Sequence, residues 1–155
     1  PPDATDARLK CTSVAILPGS GNQTVEPDSN PNALPDHRDR EIFRLGIEEF
    51  NAGRFFEAHE AWEETWLHSP EPDKTFLQGI IHIAAAFHHY SRGNTRGTRN
   101  LLEAGLGRVE RFPDAHRGID LAGLRAVARR WAEALAAGRT PASETPPRIK
   151  FIAIV

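Results

Sequence analysis

The chain has 155 residues, a formal net charge of -2, a pI near 6.4 and 26% charged residues. That is room for one domain with a hydrophobic core, too little for two ordinary ones, and no global charge bias that would draw the protein to nucleic acid or to an anionic membrane. The single cysteine, Cys11, excludes an internal disulfide and a thiolate metal cage, which suits a reducing compartment, and we expect the cytoplasm.

Along the chain, residues 1–35 hold six prolines together with the stretches "GSGN" and "DSNPN", a composition that predicts a flexible proline-rich tail. Inside it, Ser13 to Leu17 ("SVAIL") is a short β-prone run. The chain begins at Pro1 and contains no methionine. No stretch reaches the roughly 18 consecutive apolar residues of a membrane span, and the first residues lack the charged-then-apolar order of a signal peptide.

From Asp36 the pattern turns helical, and residues 36–138 are expected to form the folded domain. A first helix over 36–51 carries Phe43, Leu45, Gly46, Ile47 and Phe50 at roughly helical spacing and stops at Gly53. A second runs from Arg54 to His68, where "HSPEP" breaks it. The third, Pro70 to Ser91, has an apolar face so broad (Phe76, Leu77, Ile80, Ile81, Ile83, Ala84, Phe87, Tyr90) that it is expected at the centre of the fold. Gly93 and Asn94 then serve as stop and N-cap for a fourth helix to about Phe112, and Asp120 caps a fifth that ends at Gly138. The expected fold is all-α: a compact bundle of about five helices, the first four forming two antiparallel hairpins. Laying "FNAGRFFEAHEAWEETW" over "YSRGNTRGTRNLLEAGL" superposes Gly53 on Gly93 and Glu63 on Glu103, a weak trace of a hairpin repeat. Residues 139–155 form a C-terminal tail with a second β-prone run, "RIKFIAIV", which could pair with Ser13 to Leu17.

The chemistry concentrates in the second helix. At about 100° per residue, His59 falls in the middle of a face made by Phe55, Phe56, Trp62 and Trp66, with Glu63 one turn further on and Glu60 at the edge. An imidazole and a carboxylate buried one turn apart must find partners, because an unpaired buried ion costs several kcal/mol, on the order of 3 or more. The third helix offers Gln78, His82 and His89 on one narrow stripe. If that stripe meets the second helix, His59, Glu60, Glu63, Gln78 and His82 surround a polar centre able to take a small ligand, and His59, Glu63 and His82 become candidate ligands for a divalent metal. The plainer expectation, which we favour, is a hydrogen-bonded pair that fixes hairpin packing, with no cofactor.

"HEAWE" resembles the zinc-protease helix motif but lacks its second histidine at i+4, which counts against proteolysis. No phosphate-binding glycine loop or nucleophile elbow occurs, so we lean away from an enzyme and name no catalytic residue. Charge is uneven: residues 36–75 hold eleven acids and five bases, residues 92–130 nine arginines and four acids. The alternative function is therefore a helical-hairpin module that binds a protein partner through Arg96, Arg99, Arg125 and Arg129. Nucleic acid is disfavoured because no aromatic residues interleave the arginines.

The stretches "FNAGRFFEAHEAWEETW", "FLQGIIHIAAAFHH" and "RGNTRGTRNLL" together resemble domain-of-unknown-function family 309 over about residues 41–107. The markers are His59, Glu60, Trp62, Glu63, Trp66, Gln78, Gly79, Arg92, Gly93, Asn94, Gly97, Leu101 and Leu102. The resemblance implies a compact helical domain of antiparallel hairpins and brings no activity, ligand or catalytic residue.

Overall fold

The computed structural model describes residues 37–139 and 146–152. The expected tail over 1–35 and its β-prone run lie outside the described residues. Five helices follow in order: α1 His37–Asn51, α2 Phe55–Trp66, α3 Asp73–Ser91, α4 Thr95–Val109 and α5 Leu121–Ala136. A two-residue antiparallel ribbon, β1 Ala115–His116 and β2 Ile119–Asp120, sits between α4 and α5. The all-α expectation holds, with two antiparallel hairpins, α1–α2 and α3–α4, packed side by side.

The tight connections follow from three glycines. Gly53, Gly93 and Gly138 all have φ near +75°, the left-handed region that costs glycine nothing. Each closes the same pair of bonds: Gly53 N–H to Phe50 O and Arg54 N–H to Glu49 O, then Gly93 to Tyr90 and Asn94 to His89, then Gly138 to Leu135 and Arg139 to Ala134. This is the Schellman closure, which satisfies the last carbonyls of a helix while reversing the chain. Asn94 and Asp120 then cap the next helices, accepting from Gly97 N at 2.9 Å and Gly123 N at 3.0 Å.

The third helix is central, as its apolar face predicts. Phe76 of α3 meets Phe43 of α1 at 6.2 Å between ring centroids, His88 meets Phe56 of α2 at 5.3 Å, and Phe87 meets Trp131 of α5 at 5.2 Å. Against α4 the approach is closer still: a Cβ on Gly105 would stand 2.7 Å from the Gly79 carbonyl oxygen and 2.9 Å from Ile83 Cγ1. Two helices pack this near only where both lack side chains. On the other flank the ring of Trp62 lies on Gly46, where a Cβ would meet its Nε1 at 2.1 Å.

Two parts differ from expectation. The fourth helix stops at Val109 rather than Phe112: the Val109 carbonyl would need the N–H of Pro113, which has none, and the Arg125 guanidinium donates to the carbonyls of Val109 (3.1 Å), Glu110 (3.4 Å) and Phe112 (2.7 Å). The ribbon at 115–120 was not expected at all; its turn is Arg117-Gly118, with φ of 50° and 78°, the two positive values of a type I′ hairpin. The described part of the C-terminal run, residues 148–152, packs on the ribbon. It lies along β2, with Asp120 N–H to Lys150 O and Ile152 N–H to Gly118 O, both 2.8 Å. The Asn51 side chain clamps it, donating to Ile149 O (2.9 Å) and accepting from Ile149 N (2.8 Å), and the Ile149 side chain is buried.

Candidate functional site

α2 is apolar on the side facing α1 and α3 and acidic on the other, so it seats its polar exceptions, His59, Glu63 and the smaller Thr65, inside the domain. His59 is 2% exposed and Glu63 5%. One helical turn separates them, which brings His59 Nε2 to 3.1 Å from Glu63 Oε1. The Phe56 ring stacks on the imidazole at 5.7 Å and 29°, and Trp62, on the same helix, donates from Nε1 to Phe43 O at 3.1 Å. The approach of His59 to Glu63 lacks hydrogen-bond alignment. Among the described residues, His59 Nδ1 and Nε2 and Glu63 Oε1 are shut off from solvent without a hydrogen bond.

The other nominated residues are placed as follows. Glu60 is exposed. Gln78 is half-buried and His82 is 6% exposed. The stripe they share with His89 runs along the seam with α4: His82 Cβ adjoins Gly105, and His89 Nδ1 lies 2.9 Å from Asn94 Nδ2. Phe87 and His88, not this stripe, carry α3's ring contacts with α2. Among the described residues, no group of three or more His, Cys, Asp or Glu side chains stands together to hold a metal ion. His59 and Glu63 are thus brought together as a pair, and the nominated ligand set of His59, Glu63 and His82 is not gathered as such a group.

The four nominated arginines divide. Arg96 is exposed, Arg99 pairs with Glu103 at 3.2 Å, and Arg129 is exposed on α5. Arg125 is half-buried and fully engaged, holding three carbonyls after α4 and also Asp114 Oδ1 at 2.6 Å. It closes a helix end and offers little to a partner.

A second ionic cluster lies at the far end of the bundle and escaped sequence reasoning. Arg117 stacks its guanidinium over Phe43, Cζ 4.4 Å from the ring centre, and burial lowers its pKa against the charges of Asp73 and Asp39. His116 Nε2 stands 3.6 Å from Asp73 Oδ1, and His68 Nε2 3.0 Å from Asp39 Oδ1. His116 first, then Arg117, hold the Asp73 carboxyl below its ordinary value of 3.8 against the opposing effect of desolvation. A carboxyl with a lowered folded pKa stabilises above its unfolded value and loses that contribution as pH falls through the folded one. Asp73→Asn is accordingly expected to flatten the fall of melting temperature below about pH 4 while lowering it at pH 7. A parallel curve for the variant would remove Asp73 from the acid limb. The only hint in the sequence was "HRG", a weak turn signal.

No helix among the described residues is long and apolar enough to cross a membrane. Residues 43–101 match a family model described as "Domain of unknown function (DUF309)". An uncharacterised protein of Aquifex aeolicus (strain VF5) is 34% identical over 90 residues, 57% of this chain and 27% of its own length. The uncharacterised protein YpuF of Bacillus subtilis (strain 168) is 35% identical over 78 residues, 49% of this chain and 43% of its own. The chain therefore spans less than half the length of either relative.

Proposed function

We propose that this chain, whose residues 43–101 match the DUF309 family model, is a non-catalytic helical domain whose buried His59–Glu63 centre fixes how its hairpins pack. The observation that carries the reading is the pair itself, 3.1 Å apart with both side chains all but sealed from solvent. A buried carboxylate beside an imidazole penalises every register of α2 except the one that keeps them together, whereas an all-leucine face would tolerate several. Because the matched relatives are longer polypeptides, such a domain fits the role of a structural part within a larger protein.

One feature favours a second reading, in which the centre holds a small polar ligand or a divalent cation. His59 Nδ1 and Nε2 and Glu63 Oε1 lack hydrogen bonds among the described residues, and buried polar atoms in that state commonly have an ion or water against them. Gln78 and His82 of α3, the further donors the sequence nominated, share a stripe along the seam with α4, so the centre's own donors are His59 and Glu63. An arginine-faced binding module is the weaker alternative, since Arg125 is already held by the domain's own carbonyls.

Elemental analysis of protein purified without chelator separates the first two. The packing reading expects zinc, iron and manganese each below about a tenth of an equivalent, with no change in melting temperature on adding metal or chelator. A stoichiometric metal that is lost in His59→Ala, with a lower melting temperature after chelation, would overturn it in favour of the cation.

A further inference from the structure

The first four helices each have a hairpin partner; α5 has none. Its inner face, Leu121, Leu124, Ala128 and Trp131, is spent on the core. A second face, at i, i+3, i+4 and i+7 spacing, meets a face of α4 with the same spacing, and between them runs a groove of about 350 Å³. Its floor is small and apolar: Leu106 and Gly107 from α4, Ala132 and Ala136 from α5. A Cβ at Gly107 would meet no atom within 4 Å, so the groove is open there. Its walls are acidic, with Glu103 and Glu110 on one side and Glu133 on the other, against the single base Arg129.

We propose that this α4–α5 groove docks an amphipathic helix with basic flanks from a partner protein. A helix is the shape that an interhelical seam with a small-residue floor accepts, its leucine-type side chains entering at i, i+3, i+4 and i+7. The occupant's charge follows from the walls: lysines or arginines beside the apolar stripe would face Glu110 and Glu133, both exposed, whereas an acidic helix would meet those two carboxylates across Arg129, with Glu103 already paired to Arg99. Docking there would give α5 the antiparallel neighbour that each other helix has. The groove is formed by α4 and α5, away from the His59–Glu63 centre on α2, so the proposal stands apart from the role of that pair.

The probe is a fluorescein-labelled synthetic 18-residue helix with leucines on one face and lysines on its flanks, titrated with the full chain and read by anisotropy. Saturable binding that weakens with salt is expected. It should weaken about tenfold or more in Gly107→Leu, which fills the open mouth, and in Glu110→Lys with Glu133→Lys, which reverses the walls. Gly107→Leu replaces a poor helix former with a good one at an exposed site, so lost binding there cannot be put down to unfolding. The same peptide with glutamate in place of lysine, or with serine in place of leucine, should not bind. Absent binding, equal binding to the variants, or equal binding of either control peptide would overturn the proposal.

Discussion

Trp62→Ala is expected to destabilise the domain by about 3–5 kcal/mol, the range for truncating a fully buried large aromatic. Trp62 is 0% exposed, its ring faces Phe43 and Phe50 at 6.3 and 6.0 Å, and its Nε1 donates to Phe43 O. Such a loss is a large share of the roughly 5–15 kcal/mol that holds a domain of this size together. Melting should fall on the order of 10 °C or more. Gly46 supplies a check that depends on shape: in the native chain, Gly46→Ala pushes a methyl into the indole, but beside Trp62→Ala the same methyl enters the cavity. Gly46→Ala should therefore be costly alone and close to neutral in the double variant, an interaction that urea midpoints measure directly. Trp66 is half-buried at the edge of the core under Lys74, so its truncation should cost less. An unchanged melting temperature in Trp62→Ala would mean the core face of α2 is elsewhere.

Helices α1 to α5 could be read in advance because apolar spacing and punctuation agree. Phe43, Ile47 and Phe50 mark one face, and Gly53, Gly93 and Gly138 sit where the chain must turn left-handed. What sequence reasoning missed depends on distant partners. Pro113, visible in the sequence, ends α4, but the group that takes up its last carbonyls, Arg125, is 16 residues beyond Val109, and a charge count assigned it to a surface. The ribbon at 115–120 has only two residues per strand, too short for an alternating pattern to register, and its turn places Arg117 where glycine or asparagine would be expected. The clamp on the described C-terminal residues, the side chain of Asn51, is 98 residues from Ile149. For the candidate site, the pairing of His59 with Glu63 followed from i, i+4 spacing on one helix. The neighbour of the Gln78, His82 and His89 stripe did not, since periodicity defines a face without saying which helix covers it. Gly79 and Gly105 bring α4 against that side of α3.

His59→Leu and Glu63→Leu form the cycle that tests the packing role of the pair. His59→Leu alone should be the worst of the set, about 3–5 kcal/mol, because it strands a carboxylate that is 5% exposed under aromatic rings. Glu63→Leu should cost less, since an imidazole left alone can remain buried in neutral form, whereas a carboxylate is harder to leave without a counter-charge. With both changed, neither orphan is left and two leucines fill a face already lined by Phe55, Phe56 and Trp62. The double variant should then be more stable than His59→Leu, with a coupling of about 1–3 kcal/mol in urea unfolding at pH 7. Additive losses would mean the two side chains act separately, and the packing role would fall. A cation at the centre predicts a different outcome again: each single variant already removes a ligand, so chelator treatment would bring the native protein down to the stability of the variants and leave the double variant unmoved. The pattern expected from a packing pair is rescue in the double variant together with indifference of the native chain to chelator.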